Sequence, residues 1–479
     1  MKAPVPGAFL LGVMGVRGFG QEEQDDTIAA IATPIGTGGV AIVRVSGLEA
    51  LNIADSFLSL RRGRLHELED RRVYLGHVTD ATGKVFDEAV VLVMRGPRSF
   101  TGEDTVEVQC HGGRLVSEKV LSLALQNGAR LAERGEFTRR AYLSGRISLD
   151  EAEAVLEVVE ARSESGLLQA GRRLQGELGA LIREWESRLL DSLAETQGAS
   201  DFPEDIPGQR EQTCASLEAL RKDMEEFLGR GPLGLALSRG IQVCLVGRPN
   251  VGKSSLFNSL LRTERAIVTD VPGTTRDVLR EDTEWDGLPV TLLDTAGLRL
   301  TEEIVEAIGV ERAEDAAMDA AVILYVVDDT AGILDDDLRW LERWKDRRLV
   351  LVVNKVDLGV GKVSQQRRPE PKGKPGGSQV RVSSLTGEGL EALKKQVTGY
   401  FVESGGASEV VPGSARQVEC VRRAFSLVSE ALTHMEAGWT DDVISLVLEE
   451  GARALAELTG KDVSEATLDI VFERFCVGK

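Results

Sequence analysis

The eight residues GRPNVGKS, Gly247 to Ser254, constrain the fold of this chain more than any other stretch. They fit G-x-x-x-x-G-K-[ST], with the apolar run IQVCLV before them and the helix-like SLFNSLL after them. Such a loop works only where a buried strand gives way to a helix. Its glycines let backbone N–H groups cradle phosphates, and the helix N-terminus adds its positive end. The surrounding chain must therefore supply a parallel sheet. IQVCLV, VTLLD, AAVILYVVD and RLVLVVN are continuous apolar runs, as expected of strands covered on both faces.

Further motifs follow in order. Lys253 offers a charge to the β- and γ-phosphates and Ser254 a hydroxyl to Mg²⁺. Asn250, Val251, Gly252 and Ser255 complete the nucleotide-binding set of that loop. DTAG closes the next strand. There Asp294 holds Mg²⁺ through water and Gly297 turns a backbone N–H to the γ-phosphate, with Thr295 and Ala296 between them. GTTRD lies between the two motifs and offers Thr275 as a second hydroxyl on Mg²⁺. NKVD, comprising Asn354, Lys355, Val356 and Asp357, ends another strand. A carboxylate at Asp357 accepts hydrogen bonds from N1–H and the exocyclic amine of guanine. Adenine presents the opposite pattern, so GTP is selected over ATP. SSLTGEG then brings Ser383, Ser384 and Leu385 to the base. Leu298 stands just after DTAG, where a Ras-like GTPase orients water with Gln. Either the switch is dead, or hydrolysis uses another group and another means of neutralising charge.

The net charge of the 479 residues is −20, so a nucleic-acid partner would need a local basic patch. Cys110, Cys214, Cys244, Cys420 and Cys476 are scattered without a C-x-x-C pair, which argues for a reducing compartment and against a zinc site. No apolar run reaches the ~18 residues that span a bilayer. Residues 1–26 are read as a flexible extension, since Arg17 closely follows their apolar stretch and no small-residue cleavage site is present. EEQDD and the scarcity of Arg and Ser disfavour a transit peptide, and so a mitochondrial matrix.

Along the chain, TIAAIATPIGTGGVAIVRVS, RVYLGHV, EAVVLVM and DTVEVQC read as strands, and GGRLVSEKVLSLALQNGA as a helix. Residues 27–145 are thus an α+β domain. From Leu149 the period changes to that of long amphipathic helices, through Ala152, Leu156 and Val159, then Leu174, Leu178, Leu181, Trp185 and Leu189. Residues 146–239 form this helical part, and residues 240–403 the α/β domain with a polar surface loop, QQRRPEPKGKPGGSQ. Residues 404–479 are helical again, and Leu468, Val471, Phe472 and Phe475 give the last helix one apolar face. Helices on both sides of an α/β unit imply that it is inserted into one discontinuous helical domain.

TPIGTGGVAIVRVSG, SFTGEDTVEVQCHGG, GEFTRRAYLSGRISLDEAEAV, GRPNVGKSS, IVTDVPGTTRDV, DTAGLR and the terminal FCVGK occur in that order. With them the chain strongly resembles the MnmE (TrmE) family of tRNA modification GTPases, from about Thr27 to Lys479. The resemblance implies a multidomain α/β and α protein. An N-terminal α+β folate-binding domain that dimerises is followed by a discontinuous helical domain with an inserted Ras-like P-loop GTPase domain. It implies a homodimer that forms a heterotetramer with the FAD-dependent MnmG (GidA). Together they install a carboxymethylaminomethyl-type group on C5 of the wobble uridine (U34) of tRNA. A tetrahydrofolate derivative, in its 5,10-methylene or 5-formyl form, donates the one-carbon unit.

The resemblance also assigns residues. Arg44, Glu107 and Arg146 match folate contacts, with Arg146 in a place that often holds Lys. The C-terminal Cys-x-Gly-Lys motif lies beside the folate pocket, where Cys476 is a candidate nucleophile or acid, or merely a packed thiol, and Lys479 meets the folate. The resemblance answers Leu298 with K⁺ in the place of an arginine finger. Asn250 matches its P-loop ligand, and Thr269, Val271 and Thr274 complete its shell. Asp270, Pro272 and Gly273 share that GTP-binding loop, and Glu306 matches an acid that orients the attacking water. His111, in CHGG, is read as a turn residue.

Two rival readings remain in view. A ribosome-assembly type of GTPase would explain residues 240–403 but not Arg44, Glu107 or FCVGK. A stand-alone folate-dependent methyltransferase would leave the guanine and Mg²⁺ motifs without purpose.

Overall fold

The computed structural model describes residues 26–34, 36–61, 63–201, 209–262, 279–294, 317–318, 320–359, 361–365, 379–402 and 409–479. Apart from Asp26, the expected extension 1–26 lies outside the described residues, as do residues 366–378 of the polar loop. The chain divides into two compact units, Met1–Ile147 with Ser464–Lys479, and Ser148–Val463.

The first unit is built on a seven-stranded sheet, in the order β3-β4-β5-β6-β2-β1-β7. The strands are β1 (Ile28–Ile31), β2 (Val40–Ser46), β3 (Leu58–Leu60), β4 (Val73–Thr79), β5 (Val85–Met94), β6 (Thr105–His111) and β7 (Arg130–Leu131). All neighbours are antiparallel except β1 and β7. Alternation sorts each strand onto two faces. Val43 and Val45 of β2 and Val106 and Val108 of β6 point to the core, where Val120, Leu123 and Ala124 of the helix Arg114–Gln126 cover them. Arg44 and Glu107 therefore fall on the opposite face, directly across from each other in the β2–β6 register. Ile28, Ala30, Ala132 and Phe137 make a small second core on that face, with Phe100 against it.

The last helix, Glu465–Phe472, buries Leu468, Val471 and Phe472, and Phe475 beyond it is fully buried. This is the apolar face read from the spacing. Its partner differs from the expectation for 404–479, because Ser464–Lys479 packs with the N-terminal unit. Phe472 meets Tyr142 of the helix Glu136–Leu143, with ring centroids 6.3 Å apart.

In the second unit, the helices Glu177–Asp201, Gln209–Gly229, Ala415–Glu436 and Asp441–Thr459 share one core. Leu178, Ile182 and Trp185 from before the inserted sheet pack with Val421, Val428 and Leu455 from after it. Buried ion pairs tie the same halves together. Glu153 takes Arg416 at 2.9 Å, and Arg173 bonds Glu157 at 2.5 Å while donating to the Val411 carbonyl at 2.9 Å. The inserted sheet has the order β13-β12-β11-β8-β10-β9. Its strands are β8 (Ile241–Val246), β9 (Leu279–Trp285), β10 (Leu288–Asp294), β11 (Val322–Asp328), β12 (Leu349–Asn354) and β13 (Gln379–Arg381). All pairs are parallel except β9–β10. β11 and β12 are buried along their whole length, between two apolar layers.

Candidate functional site

At the end of β8 the chain turns directly into the phosphate loop. Gly247 has φ +145°, and a Cβ there would lie 2.3 Å from the carbonyl oxygen of Val326. Gly252 has φ +97°, and its Cβ would lie 2.4 Å from the side-chain nitrogen of Asn354. Both positions demand glycine. Asn250 is left-handed too, at φ +63°, a conformation that Asn tolerates better than most residues.

Lys253 Nζ donates to the carbonyls of Gly247 and Arg248 at 2.8 and 2.9 Å, which holds the ammonium over the loop. Burial lowers the pKa of Lys253, and the Asp294 carboxylate partly offsets this. Lys253 and Asp294 are thus electrostatic neighbours. Ser254 and Ser255 are exposed in the first turn of the helix Lys253–Arg262. Arg248 braces the loop from behind. Its Nε lies 2.9 Å from the buried Asp337, which also accepts from the Tyr325 hydroxyl at 2.9 Å.

Asn354 joins the phosphate loop to the base loop. Its side-chain nitrogen donates to Val251 O at 3.0 Å, and its side-chain oxygen accepts from Ser384 N at 3.1 Å. Lys355, left-handed at φ +65°, reaches Asn250 O at 2.8 Å and Asp328 at 2.6 Å. Val356 and Asp357 follow in a short 3₁₀ turn that leaves the Asp357 carboxylate exposed. The buried Ser383 accepts from Thr386 N at 3.1 Å and so shapes the loop that carries the exposed Leu385.

A second constellation lies in the first unit. Arg44 Nε and Nη2 both contact Glu107 Oε1 at 2.9 Å. Neither Glu107 Oε2 nor Arg44 Nη1 has a hydrogen-bond partner among the described residues. The C-terminal tail is stitched to the same unit. Arg134 Nε donates to Phe475 O at 2.9 Å, Arg134 pairs with Val477 in an isolated bridge, and Gly135 N reaches Cys476 O at 3.4 Å. Gly478, at φ +99°, packs on the Ile31–Ala32 backbone. Lys479 is half-buried, and burial lowers its pKa. Arg44 lowers it further while Cys476 opposes, which places Lys479 within the electrostatic reach of both. Cys476 itself is exposed.

Arg44, Glu107, Cys476 and Lys479 are thus brought to one unit, with Lys479 linked electrostatically to Arg44. Arg146 belongs to the same unit, is exposed and lies beside Gly102, with no hydrogen bond or ion pair to Arg44 or Glu107 among the described residues. His111 ends β6, and its ring nitrogen lies 2.6 Å from Asp87. Thr269, Asp270, Val271, Pro272, Gly273, Thr274, Thr275, Thr295, Ala296, Gly297, Leu298 and Glu306 lie outside the described residues.

Sequence reasoning missed several supports. Phe137 and Phe100 have their ring centroids 5.3 and 5.8 Å from the Arg44 guanidinium carbon. Arg140 bonds Glu103 and Glu136 at 3.0 Å each, and Asp26 at 2.5 Å. For the ion-pair cluster a signal was present: Glu103, Glu136 and Arg140 come from SFTGED and GEFTRRA, where acids and arginines stand close together.

Residues 27–146 match the family model for the GTP-binding protein TrmE N-terminus, and residues 149–476 match that for the MnmE helical domain. The tRNA modification GTPase MnmE of Symbiobacterium thermophilum is 44% identical over 459 residues, spanning 95% of this chain and 100% of that relative. The protein of the same description from Bacillus subtilis is 38% identical over 463 residues, with the same coverage. Among solved structures, the G domain of the T. maritima FeoB iron transporter is 29% identical. It covers 33% of this chain and 98% of that one, with a TM-score of 0.25.

Proposed function

This chain belongs to the MnmE (TrmE) family of tRNA modification GTPases, and from that premise we propose that it is the GTP-hydrolysing subunit of a wobble-uridine modification complex. In this reading it acts as a homodimer with an FAD-dependent partner of the MnmG type in the bacterial cytoplasm. The product is a carboxymethylaminomethyl-type group on C5 of U34, with the one-carbon unit drawn from a tetrahydrofolate. The observation that carries the reading is a conjunction within one chain. A phosphate loop bonded to its base-reading strand end through Asn354 coexists with an Arg44–Glu107 pair near the terminal Lys479. A simple GTPase has no use for the second.

The residue types suit the groups they would hold. Ser254 and Thr275 would give hydroxyls to Mg²⁺, and Asp294 would act through water, an all-oxygen set suited to a hard cation. Asn250 would ligate K⁺, with Thr269, Val271 and Thr274. The bound cation supplies positive charge where the β–γ bridge becomes negative, the part an arginine finger plays elsewhere. Lys253 steadies the β- and γ-phosphates, Asp357 reads guanine, and Glu306 orients the attacking water. On the folate side, Glu107 Oε2 offers an acceptor suited to the N–H edge of a pterin. Lys479 would meet the folate, and Cys476 stands next to it as the candidate nucleophile or acid.

The deciding experiment is mass spectrometry of wobble nucleosides from a strain lacking this chain. The modified uridine should vanish and return on complementation. Unchanged uridines in the deletion would remove the reading.

A further inference from the structure

Arg44 makes an asymmetric contact. An arginine facing a carboxylate usually has both carboxylate oxygens within reach, and a fork-to-fork pair would use them both. Here both short contacts fall on Oε1 of Glu107, and Oε2 is left open. Two rings flank the guanidinium. The Phe137 centroid lies 5.3 Å and the Phe100 centroid 5.8 Å from the guanidinium carbon, within the range of cation–π attraction. Phe137 is fully buried with Ile28, Ala30 and Ala132, so its ring cannot follow a moving arginine. Phe100 packs against that cluster and is partly exposed.

We infer that Phe100 and Phe137 are positioning residues that hold the Arg44 guanidinium against one oxygen of Glu107, keeping the other oxygen free to accept from a flat ligand that carries N–H donors. This deepens the folate reading and rests on it for the identity of the ligand. Glu107 fixes one edge of the guanidinium and the rings fix its plane. Without them the guanidinium swings to cover both oxygens, and the ligand must displace it.

The test has two arms on the full-length protein. The first needs no ligand: phenylglyoxal labelling of Arg44, followed by mass spectrometry. Phe100→Leu, which keeps an apolar side chain but removes the ring, should change the labelling rate at Arg44. The rate at Arg114, an exposed arginine on another element, should not change, and Phe100→Tyr should restore the original rate. Equal Arg44 rates in wild type and Phe100→Leu would overturn the inference. The second arm measures affinity for 5-formyltetrahydrofolate. Phe100→Leu should weaken binding by roughly three- to tenfold, the scale of one cation–π contact. In an Arg44→Met background the same substitution should cost nothing further. A loss that persists there would show that Phe100 does not act through Arg44. A wild-type chain that binds no folate, yet shows the labelling change, would sink the folate reading while the positioning role stands.

Discussion

Gly478 sits so close to Ile31 that a Cβ on it would lie 2.4 Å from the Ile31 carbonyl oxygen. Its φ of +99° excludes most side chains independently. The penultimate residue is therefore what lets the tail reach the end of β1. Gly478→Ala should displace Cys476 and Lys479 from this seat, since the Ile31–Ala32 backbone leaves no room for a Cβ. We expect folate affinity to fall several-fold and GTP hydrolysis to hold. Calorimetric titration with folate beside a phosphate-release assay checks this, and unchanged folate binding would contradict it.

GTP hydrolysis should need K⁺, with Na⁺ a poor substitute. Leu298 has no group that can orient water, and Asn250 stands in the phosphate loop as the proposed K⁺ ligand. Losing one preorganised charge contact at the transferring phosphate costs about 100-fold in rate. Equal turnover in KCl and NaCl at matched ionic strength would rule out the cation's role.

Asp357→Asn should shift preference from GTP toward xanthosine triphosphate. The carboxylate is exposed, so the fold should tolerate the change. Each lost bond to a guanine donor is worth about 10-fold or more in affinity. Competition between the two nucleotides reads this directly, and undiminished GTP selectivity would relieve Asp357 of its role.

Cys476→Ser should leave thermal stability within about 0.5 kcal/mol, since the thiol is exposed. GTP hydrolysis should be unaltered and U34 modification reduced, because a hydroxyl is a weaker nucleophile at neutral pH. Full modification with the serine variant would make the thiol a spacer.

Acid should weaken the first unit through Glu136. Burial alone would raise the pKa of this carboxyl, but hydrogen bonds from Arg130 and the Glu133 backbone, with the charge of Arg140, hold it below the ordinary 4.5. A lowered carboxyl contributes stability above its unfolded value and loses it as pH falls through the folded one. The urea midpoint should thus decline below pH 4.5, and less steeply in Glu136→Gln. Parallel slopes in the two proteins would place the acid sensitivity elsewhere.

Much of this was legible. Continuous apolar runs announced β8, β11 and β12 because those strands are covered on both faces. The edge strand β9 was missed: its exposed Arg280, Glu281 and Asp282 mask the inward Thr283 and Trp285. The helical spacing from Leu174 to Leu189 continued across Gly176, where a φ of +82° breaks one helix from the next. Val159, placed on the apolar face by the same spacing, is 52% exposed. Lys253, Asp294, Asn354 and Asp357 could be named from motifs because phosphate and guanine dictate residue types at fixed spacing. Phe100 and Phe137 could not, since their role depends on Arg44, distant in sequence, and spacing carries no trace of that meeting.

The discontinuous helical core has a consequence for synthesis. Leu178, Ile182 and Trp185 leave the ribosome before Val421, Val428 and Leu455 exist. At ~5–20 residues per second, the interval is on the order of ten seconds or more. During that time the first half of the core has an uncovered apolar face, and the strands from β8 to β13 can complete their own sheet. The inserted domain thus matures as an independent passenger, and the host domain closes only after it. A mutation that slows the passenger's folding would therefore surface as aggregation of the host helices.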